Sequence, residues 1–160
     1  HEATGLFFNG GLGFKNDDVI DTVVVSGSSL YAGQNPDNDD FFWAIQAGIE
    51  KKFVPLGKTT IYGEYYDYEG GAQARTLSAT DAVNPFAGSA GAIWETGLQV
   101  YGLGIAQGLD NAATVLYLSY RHVEADLTVR QVVGGTASGA IASSPIEDLD
   151  LVQAGAIIKF

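Results

Sequence analysis

The segment FFWAIQAGIEKKF, residues Phe41–Phe53, decides the fold because its side chains alternate in character with a period of two. The apolar set consists of Trp43, Ile45, Ala47, Ile49 and Phe53, and the intervening set of Phe42, Ala44, Gln46, Gly48, Glu50 and Lys52. Alternation with this period places successive side chains on opposite sides of a strand and fits an amphipathic helix poorly. The segment therefore predicts a β-strand with one apolar and one polar face.

Five further segments share this alternation, so six strands are predicted: Thr4–Phe14, Phe41–Phe53, Lys58–Tyr68, Trp94–Gln107, Ala113–Glu124 and Leu149–Phe160. The composition agrees, with 21 glycines, only 4 prolines and 11% aromatic residues, because aromatic residues suit a pleated surface. No apolar run approaches the roughly 18 residues that a transmembrane helix needs. The sequence therefore predicts an all-β protein with an antiparallel sheet.

The connections between the predicted strands alternate strictly between short and long. Residues 54–57 and 108–111 form tight turns, whereas residues 15–40, 69–93 and 125–148 form long polar connections. All tight turns therefore lie at one end of the sheet, which is typical of transmembrane β-barrels. Alternation of side chains alone also fits a soluble β-sandwich, so that alternative stays open.

The spacing of aromatic residues favours the barrel. Trp43 and Phe53 are separated by ten positions on one face, or roughly 33 Å at about 3.3 Å per residue. A tilt of about 40° projects this length to roughly 25 Å, which is the height of a lipid-facing band between two aromatic girdles. The predicted girdle residues are Trp43, Phe53, Tyr65, Trp94 and Tyr120.

The last predicted strand carries a resemblance to a known signal. Gln153, Gly155, Ile158 and Phe160 resemble the C-terminal assembly signal of bacterial outer-membrane proteins. The rest of the resemblance is to late strands of Gram-negative porins, in the segments Phe42–Lys52, Leu56–Tyr65 and Tyr117–His122. The resemblance implies that residues 1–160 are the C-terminal part of one porin barrel of about 16 strands. It also implies an outer-membrane homotrimer that the barrel-assembly machinery inserts.

Six strands are too few to close a barrel, since the smallest known barrels have about eight. An open sheet edge in lipid leaves backbone groups unsatisfied, at several kcal/mol each. Because the sheet would stay open, the natural molecule is expected to continue N-terminally. The start at His1 without a signal segment indicates a processed or truncated product. A barrel shared between several chains remains the alternative.

If the apolar face meets lipid, the other face lines water. The predicted pore-lining residues are Lys15, Gln46, Glu50, Lys52, Tyr62, Glu64, Gln99, Tyr101, Ser119 and Arg121. Both signs of charge occur among them, so no strong polarity is expected. Glu64 and Arg121 are the candidates for a transverse field in the channel; the alternative is that they only pair with neighbours on the wall.

The net charge of −11 argues against a nucleic-acid partner, which requires clustered Lys and Arg. Carboxylates are suitable ligands for Ca²⁺ or Mg²⁺. The hypothesis is that lipopolysaccharide phosphates are bridged through such ions to Asp67, Glu69, Glu124, Asp126, Asp148 and Asp150. The alternative is that these residues only keep the loops soluble. No cofactor and no firm metal site are predicted.

The function predicted from these features is a non-selective or weakly selective diffusion channel. A substrate-specific porin is the first alternative, with a slide formed by the tyrosines Tyr62, Tyr66, Tyr101 and Tyr117. A structural or adhesive surface protein whose long loops bind a partner is the second. Ser, His and Asp occur without a nucleophile-elbow sequence, so no enzymatic activity is predicted.

Overall fold

The computed structural model describes residues 1, 3–16, 24–25, 28–30, 39–72 and 75–158. The strands are β1 (Leu6–Asn16), β2 (Val24–Val25), β3 (Ser28–Ser29), β4 (Asp39–Val54), β5 (Gly57–Gly70), β6 (Thr76–Leu77), β7 (Gly91–Leu109), β8 (Thr114–Val133), β9 (Thr136–Pro145) and β10 (Leu149–Ile158). A 3-10 turn covers Asp110–Ala112. Within these described ranges, the protein has no helix with the length and apolar character needed to cross a membrane.

The long strands form one antiparallel sheet in the order β1-β4-β5-β7-β8-β10. β6 pairs with β7 and β9 with β8, while β2 and β3 form a separate ribbon. The predicted all-β class and the six predicted strands are therefore confirmed. In the described residues, β1 pairs with β4 alone and β10 with β8 alone, so the sheet has two free edges and does not close into a barrel.

The two tight turns lie side by side at one end of the sheet, as predicted. The backbone N–H of Asp110 donates to the carbonyl of Leu56 at 2.8 Å. The Lys52 ammonium also contacts the Asp110 carboxylate at 3.1 Å. Because every pairing in the sheet is antiparallel, the long connections leave from the opposite end, called the long-loop end below.

The structure corrects the prediction of a long connection over residues 125–148, because most of this range is strand. β8 continues through Val133, and β9 returns along it from Thr136 to Pro145. Gly134 and Gly135 make the turn with φ values of +60° and +85°. Such positive φ values at both central residues define the hairpin turn that Gly-Gly favours, so the signal was in the sequence.

Two small buried clusters lie at the long-loop end, on opposite faces of the extension formed by β7 and β8. One contains Leu30, Ala72, Ala92 and Ala137, and the other contains Leu77, Ile93 and Val129. Ala92 and Ile93 are consecutive in β7, and consecutive strand residues point to opposite faces. The buried hydrophobic residues of the described part of the chain therefore lie at the long-loop end. They lie outside the central sheet, the name given to the part of the six long strands between these clusters and the tight turns.

Candidate functional site

The ladder register assigns the side chains of the central sheet to two faces, because directly paired residues share a face. The apolar face carries, along its two middle strands, Ile61, Gly63, Tyr65, Tyr101, Leu103 and Ile105. The polar face carries, across the middle of the sheet, Asn9, Gln46, Glu64, Gly102 and Arg121.

The apolar face is exposed across the whole sheet. Its most exposed large side chains are Phe8 (68%), Leu12 (71%), Phe14 (81%), Leu103 (67%) and Val152 (67%). They come from β1, β7 and β10, so the exposed surface extends from one edge to the other. Soluble monomers rarely expose a continuous apolar surface of this extent, which marks it as a surface that contacts lipid or a partner.

Gln99 and Tyr101 lie on the apolar face, so their predicted place beside Glu64 and Arg121 was wrong. Gln99 pairs with Asp67 and Tyr101 with Tyr65. A register shift between Ile93 and Glu95 inserts Trp94 as an extra residue in β7. Such a bulge changes the phase of alternation, so counting alternate positions from Trp94 gave the wrong face. The same phase puts Gly102, Gly104 and Ala106 on the polar face.

Three of the five predicted girdle residues share the apolar face. Trp43, Tyr65 and Tyr120 are placed there by the register, and the rings of Trp43 and Tyr65 have centroids 5.0 Å apart. Trp94 lies nearer the long-loop end, where the Arg130 guanidinium stacks 4.6 Å from its ring centroid. A register shift between Lys51 and Val54 interrupts the alternation before Phe53, so the register assigns Phe53 to neither face.

The tyrosines of the apolar face direct their hydroxyl groups toward the long-loop end. The hydroxyls donate in the pairs Tyr65 to Asp67 (2.8 Å), Tyr101 to Gln99 (2.9 Å) and Tyr120 to Asp150 (2.7 Å). Each acceptor lies on the same face and two residues nearer the long-loop end than the tyrosine. Each ring is thus on the apolar side of a boundary and each hydroxyl on the polar side, an arrangement suited to a membrane–water interface.

A polar row crosses the polar face at the middle of the sheet. The Nε of Arg121 donates to the Oε1 of Glu64 at 2.5 Å, and the Asn9 amide donates to Gln46 at 3.2 Å. Gly102 lies between Glu64 and Arg121 in the register, where a Cβ would lie 2.5 Å from the Glu64 Cγ. Glu64 and Arg121 thus pair with each other, which leaves this point of the wall close to neutral.

Asn9 and the glycine at position 102 were not among the predicted lining residues. The signal for Asn9 was available, since it has the same parity in its strand as Lys15. The role of Gly102 depends on cross-strand register, which the local sequence does not encode.

Aromatic rings on the polar face lie over glycines of neighbouring strands. A Cβ at these glycines would come within 3.0 Å of the opposing ring or its hydroxyl, in the pairs Gly48 and Phe7, Gly13 and Phe42, Gly104 and Tyr62, and Gly155 and Tyr117. A glycine in a strand commonly marks such a close approach. The rings therefore lie close against the neighbouring strands of the sheet. The polar face is lined by aromatic and charged groups together.

Most of the other predicted lining residues share the polar face. The register puts Lys15, Gln46, Glu50, Tyr62 and Ser119 there. Lys15 contacts Asp40 at 3.9 Å and Lys58 contacts Glu50 at 2.7 Å. Lys52 lies beside the tight turns, where it pairs with Asp110. The cations and carboxylates of this face are thus largely paired.

The predicted acidic residues gather at the long-loop end of the apolar face. The register places Asp67, Glu69, Glu124, Asp126 and Asp150 there, and Asp148 precedes β10. Across the described part of the chain, no three His, Cys, Asp or Glu residues are arranged to hold a metal ion. Bridging of lipopolysaccharide phosphates through divalent ions stays a prediction, and it requires the phosphates to supply further ligands.

His122 lies at the centre of the carboxylates of β8 and β10. Its Nδ1 is 2.8 Å from Asp150, and its Nε2 is 3.3 Å from Glu124 and 3.9 Å from Asp148. The hydrogen bond with Asp150 is the main cause that raises the pKa of His122 above its usual 6.5. Hydrogen bonds from Tyr120 and His122 lower the pKa of Asp150. When it is protonated, His122 therefore joins the edge strand β10 to β8 through an ion pair with Asp150.

The predicted assembly signal falls largely on β10. Gln153 pairs with Ser119, Gly155 with Tyr117, and Ile158 with Thr114 at the tight-turn end. Phe160 lies outside the described residues. Gly155 has a packing role of its own, because a Cβ there would lie 2.5 Å from the Tyr117 hydroxyl.

Comparison with known proteins gave no match. No family model, no curated protein and no solved structure matches this chain.

Proposed function

We propose that this chain is part of a transmembrane β-barrel in the outer membrane of a Gram-negative bacterium. Its polar face lines a water-filled channel through which small hydrophilic solutes and ions diffuse passively. The observation that carries the proposal is the apolar face, which is exposed on all six long strands while the opposite face carries the paired charges and the aromatic rings. Alternation of lipid-facing and water-facing residues is the pattern of a transmembrane barrel wall.

The oblique course of the apolar band supports the proposal. The apolar band is the run of apolar side chains on the apolar face of each long strand. Toward the long-loop end, each run ends at a first polar side chain. In sheet order these polar residues are Asn16, Asp39, Asp67, Gln99, His122 and Asp150. The register line through His122 meets β4 at Ile45, six residues from Asp39. Asn16 pairs with Asp39 and Asp150 pairs with His122, so this displacement of about 20 Å along the strands is the total over the five spacings from β1 to β10. The five spacings measure about 24 Å across the strands, which corresponds to an average tilt of about 40°. Strands of outer-membrane barrels tilt by about 35–45°.

The polar face supports a channel of weak ion preference. Its cations and carboxylates are paired, with Glu64 and Arg121 at 2.5 Å in the middle of the wall. Paired charges leave only a small net field in the lumen. We therefore expect the channel to pass both cations and anions.

Closure of the barrel requires further strands. The edge strands β1 and β10 run in opposite directions, so they suit a barrel completed by an even number of additional antiparallel strands. We propose that the same polypeptide supplies these strands, as in a porin of about 16 strands. A barrel completed by further copies of this chain remains the alternative.

The proposed partners follow from this location. Outer-membrane lipid would cover the apolar face, and lipopolysaccharide would contact the acidic residues beside His122. Assembly as a homotrimer and recognition of β10 by the barrel-assembly machinery are part of the same proposal. Both rest on the resemblance of the sequence to porins.

The test compares Leu103→Arg with Ala106→Arg, which lie in the same strand on opposite faces. An arginine facing the middle of a bilayer costs about 2–4 kcal/mol, whereas one facing the lumen does not. We expect Leu103→Arg to reduce recovery in the outer-membrane fraction and Ala106→Arg to insert and conduct in planar bilayers. Equal membrane recovery of the two variants would contradict the assignment of the faces. Inserted wild-type protein without conductance would support the structural or adhesive alternative.

The aromatic rings of the polar face favour a substrate-specific channel as the second candidate. The rings of Phe42 and Tyr66 have centroids 6.1 Å apart, and Tyr62 and Tyr117 lie along the wall over glycines. Such rings can stack on the apolar face of a sugar. Conductance that one solute blocks saturably would favour this candidate, and linear dependence on every solute would favour the general channel.

A further inference from the structure

The segment of residues 78–90 packs on the polar face at the long-loop end. Gly91 pairs with Gln131, and a Cβ at Gly91 would lie 2.5 Å from a Val129 methyl and 2.9 Å from the Asn84 side-chain oxygen. Val129 is an even number of residues from Arg121 in the continuous strand β8, so the two side chains share a face. The Asn84 side chain therefore lies above the polar face.

Apolar side chains hold this segment against the sheet. Leu77, Ile93 and Val129 form a buried cluster, and Val83 and Phe86 from the segment pack against it. Val129 is fully buried as a result, at 0% exposure. The segment is thus a second layer on this face, with its own small core.

Asn84 organises the segment internally. Its amide nitrogen donates to the carbonyl oxygens of Ser78 and Ser89, both at 2.8 Å, and its side-chain oxygen accepts from the N–H of Phe86 at 3.1 Å. The Gln131 amide donates to the Ser89 hydroxyl at 3.1 Å and so joins the segment to β8. The segment therefore has a built conformation.

We propose that residues 78–90 form a fixed size filter at the long-loop mouth of the channel. The inference rests on the proposed function, in which the polar face lines the lumen. Packed layers are about 10 Å apart, so the segment takes up about that much of the mouth on this side. The charged residue in the segment is Asp81, whose carboxylate accepts from the N–H of Ser78 at 2.6 Å. Because Asp81 is the one charge among the residues of the segment, the filter is expected to act mainly through size.

Two variants displace the filter by different routes. Asn84→Ala removes the hydrogen bonds that fold the segment, and Gly91→Leu inserts a side chain where Asn84 and Val129 now lie. Ala79→Ser, at an exposed position, is the matched control. Neutral polyethylene glycols of graded size, added at the long-loop side of a planar bilayer, report the size limit of the mouth, and limited proteolysis reports displacement of the segment.

We expect both variants to shift the exclusion limit to larger polymers and to become cleavable within residues 78–90, with Ala79→Ser like the wild type. An unchanged exclusion limit in a cleavable variant would overturn the filter. If neither variant is cleaved, replacement of residues 79–88 by Gly-Gly decides by the same polymer readout. Wild-type protein that inserts without conducting would instead refute the channel itself, so the two failures are distinguishable.

Discussion

The guanidinium of Arg121 and the carboxylate of Glu64 meet across β7, 2.5 Å apart, over the backbone of Gly102. The two residues are on strands that do not pair with each other, so their contact depends on the absence of a side chain on the strand between them. The glycine is therefore as necessary to the pair as either charge.

Replacing Gly102 by valine is expected to separate this ion pair. The new Cβ would lie 2.5 Å from the Glu64 Cγ, and overpacking of this kind costs about 1–3 kcal/mol. Thermal unfolding of the detergent-solubilised protein measures the loss. Gly11→Val is the control, since no heavy atom lies within 4 Å of a Cβ there. Equal destabilisation by both variants would contradict the specific role of Gly102.

Removing one charge of the pair is expected to give the channel an ion preference. Glu64→Gln leaves the Arg121 guanidinium unneutralised and favours anions, whereas Arg121→Gln leaves the carboxylate and favours cations. Reversal potentials in a salt gradient measure this preference. The double variant should return to the wild-type value, and shifts of the same sign in both single variants would contradict the proposal.

Gly155→Ala is expected to impair pairing of the last strand because the added methyl meets the Tyr117 ring. The yield of folded protein in the outer membrane measures the defect. Tyr117→Ala should restore the yield in the double variant if packing is the cause. A defect that persists in the double variant would assign Gly155 to recognition by the assembly machinery instead.

The contact between His122 and Asp150 is expected to make β10 less stable as the pH rises. Because the pKa of His122 is raised in the folded state, its contribution is complete below the unfolded pKa of 6.5 and is lost as the pH passes the folded value. The lowered pKa of Asp150 makes its contribution disappear only in acid. Unfolding midpoints at pH 6 and pH 9 should differ in the wild type and coincide in His122→Gln. An equal difference in both proteins would contradict the assignment to His122.

The strands could be predicted from the sequence because alternation is a local property that each strand carries by itself. The bulge at Trp94 could not, since an extra residue shows only when β7 is paired with β8. This is why Gln99 and Tyr101 were assigned to the wrong face. The partnership of Glu64 with Arg121 depends in the same way on the register of three strands. The second layer formed by residues 78–90 was not predicted because this segment has no periodic pattern of side chains.

The oblique apolar band has a consequence for how such a sheet can grow. A hairpin copied into the wall would keep its lipid-facing side chains outward in any register that shifts by two residues. Only a shift that continues the displacement from Asp39 to His122 would also align the apolar band of the copied strands with that of their neighbours. Duplication of strands is thus constrained both in the face on which the apolar side chains lie and in the position of the apolar band along the strands. The length of the chain can change freely in the long connections.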